Sequence, residues 1–378
     1  MNIRIEASSL TAKNISGVGY FTKRLAEALS DQPDTKVSAF SFNFLGRQRT
    51  PPLKSSIQQE VTRYFPLRVY AKMQSHKLAL SFDTLLKPVD LTIFTNYARL
   101  PSVKSRFTAT TIHDLTYLKY PELMEKDNLP HLTRVVEKAI KTSDIILTVS
   151  EAVKKEIVDH FKIPEQKVLT LPLPPDEAFL VKNTAEVHQK YNIPTKNYIF
   201  FISTIEPRKN VPFLIDAYSK LPKEITDKYS LVLSGGMGWK SEQSINAITK
   251  ARVQGLNVVH TGYIDEADKS ALYQQASLFV FPSIYEGFGM PILEAAASKV
   301  PIITSDIPVL REAAGKGALY FKLNDINSLT TAMTDVLTKK ELSEQLVIEA
   351  SIHLASFSWK QNAQKIISKI IELEQHSR

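Results

Sequence analysis

The chain of 378 residues alternates between two kinds of apolar pattern. Short, largely apolar runs such as Leu91–Thr95 and Tyr198–Ile202 predict buried strands. Segments with apolar residues at helical spacing, such as Tyr20–Leu29, predict amphipathic helices between the strands. The other predicted strands are Asn2–Ala7, Lys36–Phe42, Phe107–Ile112, Ile145–Val149, Tyr229–Ser234, Val258–His260, Leu278–Pro282 and Val300–Ser305. The other predicted helices are Leu67–Leu80, Leu129–Lys141, Ser150–Phe161, Val211–Ser219, Ser241–Arg252, Asp265–Gln275, Pro291–Ser298 and Lys360–His376. Strands interleaved with helices favour parallel sheets joined by right-handed crossovers.

A proline-rich stretch, 171–183, interrupts this alternation and contains the run LPLPPDEAF. Closely spaced prolines favour a linker over a continued strand or helix. We therefore predict an α/β protein of two doubly wound parallel-sheet domains, residues 1–180 and residues 181–359. By its pattern alone, the last helix, 360–378, fits either domain.

Composition narrows the classes of protein that fit this plan. Hydrophobic residues make up 43% and charged residues 23%, as in soluble globular proteins. The absence of cysteine excludes disulfides, thiolate metal sites and a cysteine nucleophile. No apolar run approaches the ~20 residues that cross a bilayer, and the first residues lack the layout of a signal peptide. We therefore expect a soluble, intracellular protein.

Positive charge is concentrated in residues 36–106, which hold twelve Lys and Arg against three Asp and Glu. Such an excess indicates a contact surface for an anion. An anionic membrane or a phosphorylated substrate ranks above nucleic acid, because no nucleic-acid-binding motif accompanies the charge. Within this region, Arg63–Leu80 is compatible with an amphipathic helix lying in a membrane interface. A solvated basic face without a partner, or core packing of that helix, is the alternative.

Two segments of the first predicted domain follow strands and carry candidate chemistry. In Ser16–Tyr20, Gly17 and Gly19 let backbone amides approach an anion at a helix N-terminus. The dinucleotide-binding signature is incomplete, because Thr22 stands where its third glycine would be, and a tight turn is the alternative.

The second of these segments is the His113-Asp114 pair at the end of a predicted strand. It can place an imidazole over a ligand, with Asp114 and Tyr117 orienting the ring. A core histidine satisfied by the backbone is the alternative. A serine-based triad is excluded, because no G-x-S-x-G occurs in the sequence.

In the second predicted domain, Ser203–Asn210 joins a strand to a helix and contains Arg208 and Lys209. Cations just before a helix N-terminus oppose the helix dipole, so a structural reason for them is hard to supply. A bound diphosphate explains both, with Lys as a point charge and Arg as a bidentate fork. An exposed basic loop is the alternative. His260–Tyr263 ends another strand, a position suited to flanking a nucleobase.

The segment FPSIYEGFGMPILE is the most specific of these and follows another apolar strand. Gly287 and Gly289 give a tight loop whose amides can face a ligand, and Pro291 suits a helix start. We expect Glu294 in the first turn of that helix, near the same crevice as Glu286, which we place in a loop rather than in a core. Two carboxylates beside a glycine loop can accept hydrogen bonds from sugar and ribose hydroxyls.

Together these motifs resemble the retaining glycosyltransferases of family four, which have the two-domain GT-B fold. The motifs YEGFGMPILEAAA and STIEPRKN carry the resemblance most specifically. Weaker matches follow in the expected order, namely SGVGYFTKRLAEAL, TIHDLTYLKYPE, SDIILTVSEAVKKEI and FSWKQNAQKI. The resemblance implies two Rossmann-like domains facing a central cleft, with helix 360–378 packing back on the N-terminal domain.

The resemblance also implies roles for individual residues. Arg208 and Lys209 would bind the diphosphate, and Glu294 the ribose. Glu286 and His113 would contact the donor sugar. The implied catalytic residues are His113, Glu286, Arg208 and Lys209. The implied donor-binding residues are Gly17, Gly19, Ser203, Thr204, Arg208, Lys209, Tyr263, Glu286, Gly287, Phe288, Gly289, Met290, Pro291 and Glu294.

Two departures from the family pattern bear on the donor. Ser203 replaces the usual glycine, and Thr204 stands where many relatives have a diphosphate-binding arginine. The Thr form is typical of mannosyltransferase-like members, which favours GDP-mannose. The resemblance implies no cofactor and no metal, and a front-side reaction that retains configuration. The implied acceptor is a glycan or polyprenyl-linked oligosaccharide in bacterial-type O-antigen or capsule assembly, at the cytoplasmic face of the membrane.

Two other classes of function stay open at this point. One is an enzyme of another class on the same fold, such as a nucleotide-sugar epimerase or a phosphorylase. The other is a non-catalytic, membrane-associated nucleotide-binding module. The pairing of Arg208-Lys209 with Glu286 and Glu294 favours transfer over epimerisation. A phosphorylase dependent on pyridoxal phosphate would be far longer, and the intact set of five segments after predicted strands argues against a non-catalytic module.

Overall fold

The computed structural model describes residues 1–11, 16–43, 51–62, 81–125 and 129–376. The chain forms two compact units, unit 1 (Met1–Leu173 with Ser358–Arg378) and unit 2 (Pro174–Phe357). The division falls inside the proline-rich stretch, where proline cannot donate a backbone hydrogen bond to a sheet or helix.

In the described part of unit 1, seven strands form one parallel sheet in the order β3-β2-β1-β4-β5-β6-β7. The strands are β1 (Asn2–Glu6), β2 (Lys36–Phe42), β3 (Gln58–Thr62), β4 (Val89–Phe94), β5 (Ser105–Thr111), β6 (Ile145–Thr148) and β7 (Val168–Thr170). The helices described between them are α1 (Gly17–Ser30), α2 (Thr116–Lys119), α3 (Leu129–Thr142) and α4 (Glu151–Phe161). The helix predicted at Leu67–Leu80 lies outside the described residues.

A buried arginine in strand β1 explains why the polar strand β3 belongs to this sheet. Ile3 and Ile5 are fully buried, and Arg4 between them is buried as well. The Arg4 guanidinium donates to the Glu60 carboxylate of β3 at 2.6 Å and to the carbonyl of Lys87 at 2.8 Å. A buried cation needs such partners, because leaving water without them is costly. The apolar pattern missed β3, whose sequence QQEVT supplies that partner.

In unit 2, six of the described strands form one parallel sheet in the order β10-β9-β8-β11-β12-β13. The strands are β8 (Asn197–Ile202), β9 (Tyr229–Ser234), β10 (Val258–Gly262), β11 (Leu278–Phe281), β12 (Ile302–Ser305) and β13 (Ala318–Phe321). The helices are α5 (Val187–Lys190), α6 (Val211–Ser219), α7 (Lys223–Lys228), α8 (Glu242–Val253), α9 (Glu266–Gln274), α10 (Met290–Ala297), α11 (Pro308–Ala314), α12 (Ile326–Thr338) and α13 (Lys340–Leu354).

The alternation of strands and helices continues in unit 2 beyond the last predicted strand. The structure adds α11, β13, α12 and α13 after β12. Strand β13 has four residues and α11 has seven, and segments this short do not show a clear periodicity of apolar residues. Helix α13 exposes Ile348 and Ile352, so its apolar residues do not mark one buried face.

The C-terminal helix, α14 (Trp359–His376), packs within unit 1. Its side of Ala363, Ile366 and Ile370 is buried, at the spacing expected for one helix face. The Asn362 side-chain amide donates to the carbonyl of Pro172 at 2.7 Å, and the Trp359 ring lies 6.1 Å from the Phe21 ring of α1. Burial of this apolar face fixes the helix to unit 1.

The strand order of each sheet reverses at one point, between β1 and β4 in unit 1 and between β8 and β11 in unit 2. Chain crossovers leave to opposite faces there, so a crevice opens at the carboxyl ends of the two central strands. This is where ligands bind in doubly wound sheets. Among the helices described here, none is both long enough and apolar enough to cross a bilayer.

Candidate functional site

Two predicted segments meet at the carboxyl ends of β8 and β11, the switch point of unit 2. The loop after β8 continues as a single turn of 3-10 helix, Pro207–Lys209, and the loop after β11 leads into α10. Ile284 donates its backbone N–H to the carbonyl of Arg208 at 2.9 Å, which ties the two loops together. The topology therefore places basic and acidic motifs 77 residues apart on one edge of the sheet.

Four charged side chains form what we call the cation–carboxylate cluster: Glu206, Arg208, Lys209 and Glu286. The Arg208 guanidinium donates to Glu286 Oε2 and to Glu206 Oε1, each at 2.8 Å, and also to the carbonyl of Tyr285 at 2.9 Å. Lys209 Nζ donates to the other oxygen of Glu286. Both cations thus share the Glu286 carboxylate, and the four charges sum to zero.

Burial makes these charges interact strongly, because water screens them little. Burial alone would raise the pKa of Glu286, but Arg208 and then Lys209 lower that pKa to about 2. The pKa of Lys209 is lowered, by burial first and by Arg208 second. The pKa of Glu206 is raised by burial in spite of its contact with Arg208. Glu286 is therefore a firmly ionised acceptor that does not take up a proton near neutral pH.

Glu286 lies in a loop, as expected from the sequence, but the expectation that it lies outside a core is wrong, because only 7% of its surface is accessible. The alternative of an exposed basic loop does not describe Lys209, since 6% of it is accessible and its Nζ lies 5.0 Å from the centre of the Phe281 ring. The apolar strand end that buries both groups is visible in the sequence, but its side-chain packing is not.

The glycine-rich loop before α10 includes Gly287 and the buried Phe288, and ends in Gly289, Met290 and Pro291 at the start of that helix. Gly289 has a φ of 103°, a backbone conformation that residues with a side chain rarely adopt, so the backbone favours glycine there. Pro291 in the first turn is compatible with α10, because the first amides of a helix have no partner within it.

Glu294 is the fifth residue of α10, so the expectation that it lies in the first turn is wrong. It is buried, and its two carboxylate oxygens have separate donors on α9. Lys269 Nζ lies 2.6 Å from Oε1, and the Tyr273 hydroxyl donates to Oε2 at 2.9 Å. The sequence analysis missed both donors, which precede Glu294 by 25 and 21 residues.

A third loop at this edge, 235–238 after β9, was also missed. Ile205 N donates to the carbonyl of Gly236, and Gly238 N donates to the carbonyl of Ile205, both at 2.9 Å. A Cβ on Gly235 would lie 1.9 Å from the carbonyl oxygen of Ser203, so a side chain there is excluded. The signal that could have found the loop is the run GGMG directly after a predicted strand.

Thr204 lies beside this third loop and is exposed, as is Tyr263, which follows β10. The β10 side is linked to the loop by His260, whose Nε2 lies 2.9 Å from the carbonyl of Gly235. The predicted donor-binding residues of the second domain thus lie in the loops after β8, β10 and β11 and in α10.

Unit 1 holds the remaining predicted site residues. Gly17 and Gly19 lie inside α1 and not in the loop before it, and the Ser16 hydroxyl caps the helix by accepting from Gly19 N at 3.4 Å. The α1 N-terminus offers its amides at the carboxyl side of β1, the position that favours an anion.

His113 follows β5, and its Nε2 lies 2.8 Å from the carbonyl of Thr95, which follows β4. A carbonyl only accepts, so Nε2 carries the proton. Burial lowers the pKa of His113, which keeps the ring neutral near pH 7. The ring is oriented by Thr95 and by the Phe21 ring at 5.2 Å, while Asp114 accepts from the backbone N–H of Thr116.

Among the described residues, no group of three or more His, Asp and Glu side chains could hold a metal ion. The metal-free reaction expected from the sequence stays a prediction.

The chain is similar to known proteins over most of its length. Residues 183–352 match the family described as "Glycosyl transferases group 1". The O-antigen chain mannosyltransferase B of Escherichia coli is 32% identical over 254 residues, which cover 66% of this chain and 66% of that protein. The O-antigen chain mannosyltransferase RfbU of Salmonella typhimurium is 26% identical over 336 residues, or 87% of this chain and 89% of that protein. The chain thus spans about two thirds of the first of these relatives.

Solved structures bear on the fold. Sucrose-phosphate synthase from Thermosynechococcus elongatus superposes with a TM-score of 0.76 at 17% identity, covering 99% of both chains. At that identity the likeness shows the fold alone. The fold class predicted from the sequence, two Rossmann-like parallel-sheet domains of GT-B type, is confirmed.

Proposed function

We infer that the chain is a glycosyltransferase of group 1, the family to which residues 183–352 belong. We propose that it transfers a mannosyl group from a nucleotide diphosphate sugar, with GDP-mannose as the favoured donor, to a glycan acceptor. The observation that carries the proposal is the cation–carboxylate cluster at the switch point of unit 2. The mannosyltransferases among the relatives support the choice of sugar.

The cations of the cluster suit a leaving diphosphate. Arg208 presents a planar fork and Lys209 a point charge, the two donor geometries that proteins use for phosphate oxygens. Negative charge grows on the diphosphate as the bond to the sugar breaks, so preorganised cations stabilise the transition state more than the ground state. One such donor in a water-excluded site contributes ~3–4 kcal/mol.

The proposed reaction is a front-side displacement. The bond between sugar C1 and the phosphate oxygen breaks, and its electron pair leaves with the diphosphate. The acceptor hydroxyl oxygen forms the new bond to C1 on the same face, and its proton passes to a phosphate oxygen. Glu286 is a poor nucleophile in this scheme, because two cations hold its charge and its pKa is lowered to about 2. Its role is to accept hydrogen bonds from the sugar hydroxyls.

The site in unit 1 contributes a neutral acceptor. Nε2 of His113 donates to Thr95, which leaves the lone pair of Nδ1 available for a sugar hydroxyl. The proposed phosphate contacts of unit 1 are the amides of the α1 N-terminus at Gly17 and Gly19, since a helix N-terminus favours an anion.

The second part of the proposal concerns the acceptor and its location. We propose a polyprenyl-linked oligosaccharide of surface-polysaccharide assembly, met at the inner face of the cell membrane. The relatives whose names include an O-antigen chain support this class of acceptor. The basic region, 36–106, supports an anionic surface, at ~1 kcal/mol per Lys or Arg near the lipid.

A transfer assay tests the proposed function. The protein is incubated with GDP-mannose, GDP-fucose, UDP-glucose and UDP-galactose, each with a lipid-linked oligosaccharide acceptor, and the glycosylated product is analysed by mass spectrometry and NMR. We expect transfer from GDP-mannose with an α-linked product. Transfer from a UDP-sugar alone would overturn the donor, a β-linked product would overturn retention, and conversion of the donor to its epimer without an acceptor would overturn transfer itself.

A further inference from the structure

Two donors on α9 hold the Glu294 carboxylate of α10 from its two ends. Lys269 Nζ lies 2.6 Å from Oε1, and the Tyr273 hydroxyl lies 2.9 Å from Oε2. With one donor on each oxygen, rotation of the carboxylate would break one hydrogen bond or the other. The orientation of Glu294 is therefore fixed before any ligand arrives.

The surroundings keep both donors in the protonation states that this geometry needs. Tyr273 is fully buried and Glu294 nearly so. Burial would lower the pKa of Lys269, but Glu294 and then Glu266 raise it overall, so the ammonium keeps its proton. Burial raises the pKa of the Tyr273 hydroxyl well above its ordinary value, and Glu294 adds to this rise. Both donors thus remain donors throughout the physiological pH range.

The number of lone pairs suggests what the arrangement is for. A carboxylate offers about four acceptor positions, of which Lys269 and Tyr273 occupy one on each oxygen. One position on each oxygen remains, at a separation that suits two neighbouring hydroxyls. Ribose presents such a pair, at O2′ and O3′. An ion pair that served only to join α9 to α10 would not need a second donor on the far oxygen.

We propose that Lys269 and Tyr273 are positioning residues, which orient Glu294 so that its remaining lone pairs accept the two ribose hydroxyls of the donor nucleotide. The inference rests on the proposed function and on the ribose contact that the family resemblance implies for Glu294. It adds a reason why this site distinguishes a ribonucleotide from its 2′-deoxy analogue, because a misaligned carboxylate accepts either hydroxyl poorly.

Calorimetric titrations with GDP, 2′-deoxy-GDP and inorganic pyrophosphate test the inference. In the parent protein we expect GDP to bind about tenfold or more tightly than 2′-deoxy-GDP, the value of one hydrogen bond to a charged group. Tyr273→Phe keeps the ring and removes one donor, so the ratio of the two affinities should fall at least threefold. The affinity for pyrophosphate should stay within twofold of the parent value, because Arg208 and Lys209, the cations proposed to bind the diphosphate, are unchanged.

Two variants of Lys269 separate positioning from stability. Lys269→Met should reduce the ratio further, and Lys269→Arg should restore most of it, because it returns a cation to Oε1. Lys223→Met is the matched control: Lys223 pairs with Asp227 on the exposed surface of α7, and the ratio should not change. A merely structural loss would weaken GDP and 2′-deoxy-GDP by the same factor and leave the ratio intact.

The results of these titrations distinguish a failure of the positioning role from a failure of the proposed function. A parent-like ratio in folded Tyr273→Phe and Lys269→Met would overturn the positioning role, whatever the transfer activity. A parent protein that binds GDP without discriminating against 2′-deoxy-GDP would overturn the ribose contact of Glu294. A parent that binds neither GDP nor pyrophosphate would overturn the proposed function itself.

Discussion

Replacing Glu286 by glutamine should make the protein bind pyrophosphate more tightly, although it should impair transfer. The Glu286 carboxylate accepts a hydrogen bond from Arg208 at 2.8 Å and also pairs with Lys209, and these are the two cations proposed to hold the diphosphate. An incoming diphosphate must compete with this resident anion. Glutamine keeps the shape and the hydrogen-bonding oxygen but removes the negative charge.

The size of the effect follows from the geometry. A unit charge about 5 Å from a phosphate oxygen, at an effective dielectric constant of about 20, opposes binding by about 3 kcal/mol. Part of the gain is lost, because Arg208 keeps Glu206 as a partner at 2.8 Å. We therefore expect the dissociation constant for pyrophosphate to fall at least tenfold, or ~1.4 kcal/mol. Transfer should fall at the same time, because the sugar hydroxyls lose an ionised acceptor.

Isothermal titration calorimetry with sodium pyrophosphate at pH 7.5 and fixed ionic strength measures this directly. Glu294→Gln is the matched control, since that carboxylate pairs with Lys269 and leaves Arg208 and Lys209 unchanged. Glu286→Ala is a poorer test, because it leaves the buried Lys209 without its carboxylate partner, at a cost of ~3–5 kcal/mol in stability. If folded Glu286→Gln binds pyrophosphate no more tightly than the parent, Glu286 does not compete with the diphosphate and the reasoning fails.

Four further predictions concern the same chemistry and the basic region. Arg208→Ala and Lys209→Ala should lower kcat more than they raise KM, because the negative charge that these two cations stabilise develops in the transition state. A raised KM with a normal kcat in steady-state kinetics would contradict this role. EDTA should leave transfer unaffected, and inhibition relieved by Mn²⁺ or Mg²⁺ would show that a metal takes part. The pKa of Glu286 is lower in the folded protein than its ordinary value of 4.5, so its ionised carboxylate stabilises the fold above pH 4.5. This stabilisation, on the order of 3 kcal/mol, should be lost as the pH falls from 4.5 towards about 2. Urea unfolding of the parent, compared with Glu286→Gln at each pH, measures the loss. The parent should sediment with anionic liposomes at low salt and be released at ~0.5 M salt, whereas a charge-reversed variant should not bind. Equal binding by that variant would show that the basic region does not hold the protein on the membrane. The positions changed to Glu in that variant are Arg63, Arg68, Lys72 and Lys77.

The sequence alone predicts the alternation of strands and helices and the loops that contain the candidate site residues. Parallel strands joined by crossovers end at one edge of the sheet, so the motifs after the strands at 198–202 and 278–282 had to meet there. Strand order and the family resemblance together therefore predict Arg208, Lys209 and Glu286 as parts of one site. The motif residues are contiguous or nearly so, and local spacing suffices to recognise them.

Tertiary structure alone decided what those side chains touch. Glu286 is buried against both cations, and Glu294 is held by Lys269 and Tyr273 from another helix. Such pairs form between elements that lie far apart in the chain, and the period of an element indicates which face is buried but not which partner covers it. Strand β3 shows the same limit, because its polar sequence belongs to the sheet through the charge of Arg4, 56 residues away. The sequence determines at which strand ends polar groups gather, whereas packing decides which of them neutralise one another, because burial makes every unpaired charge costly.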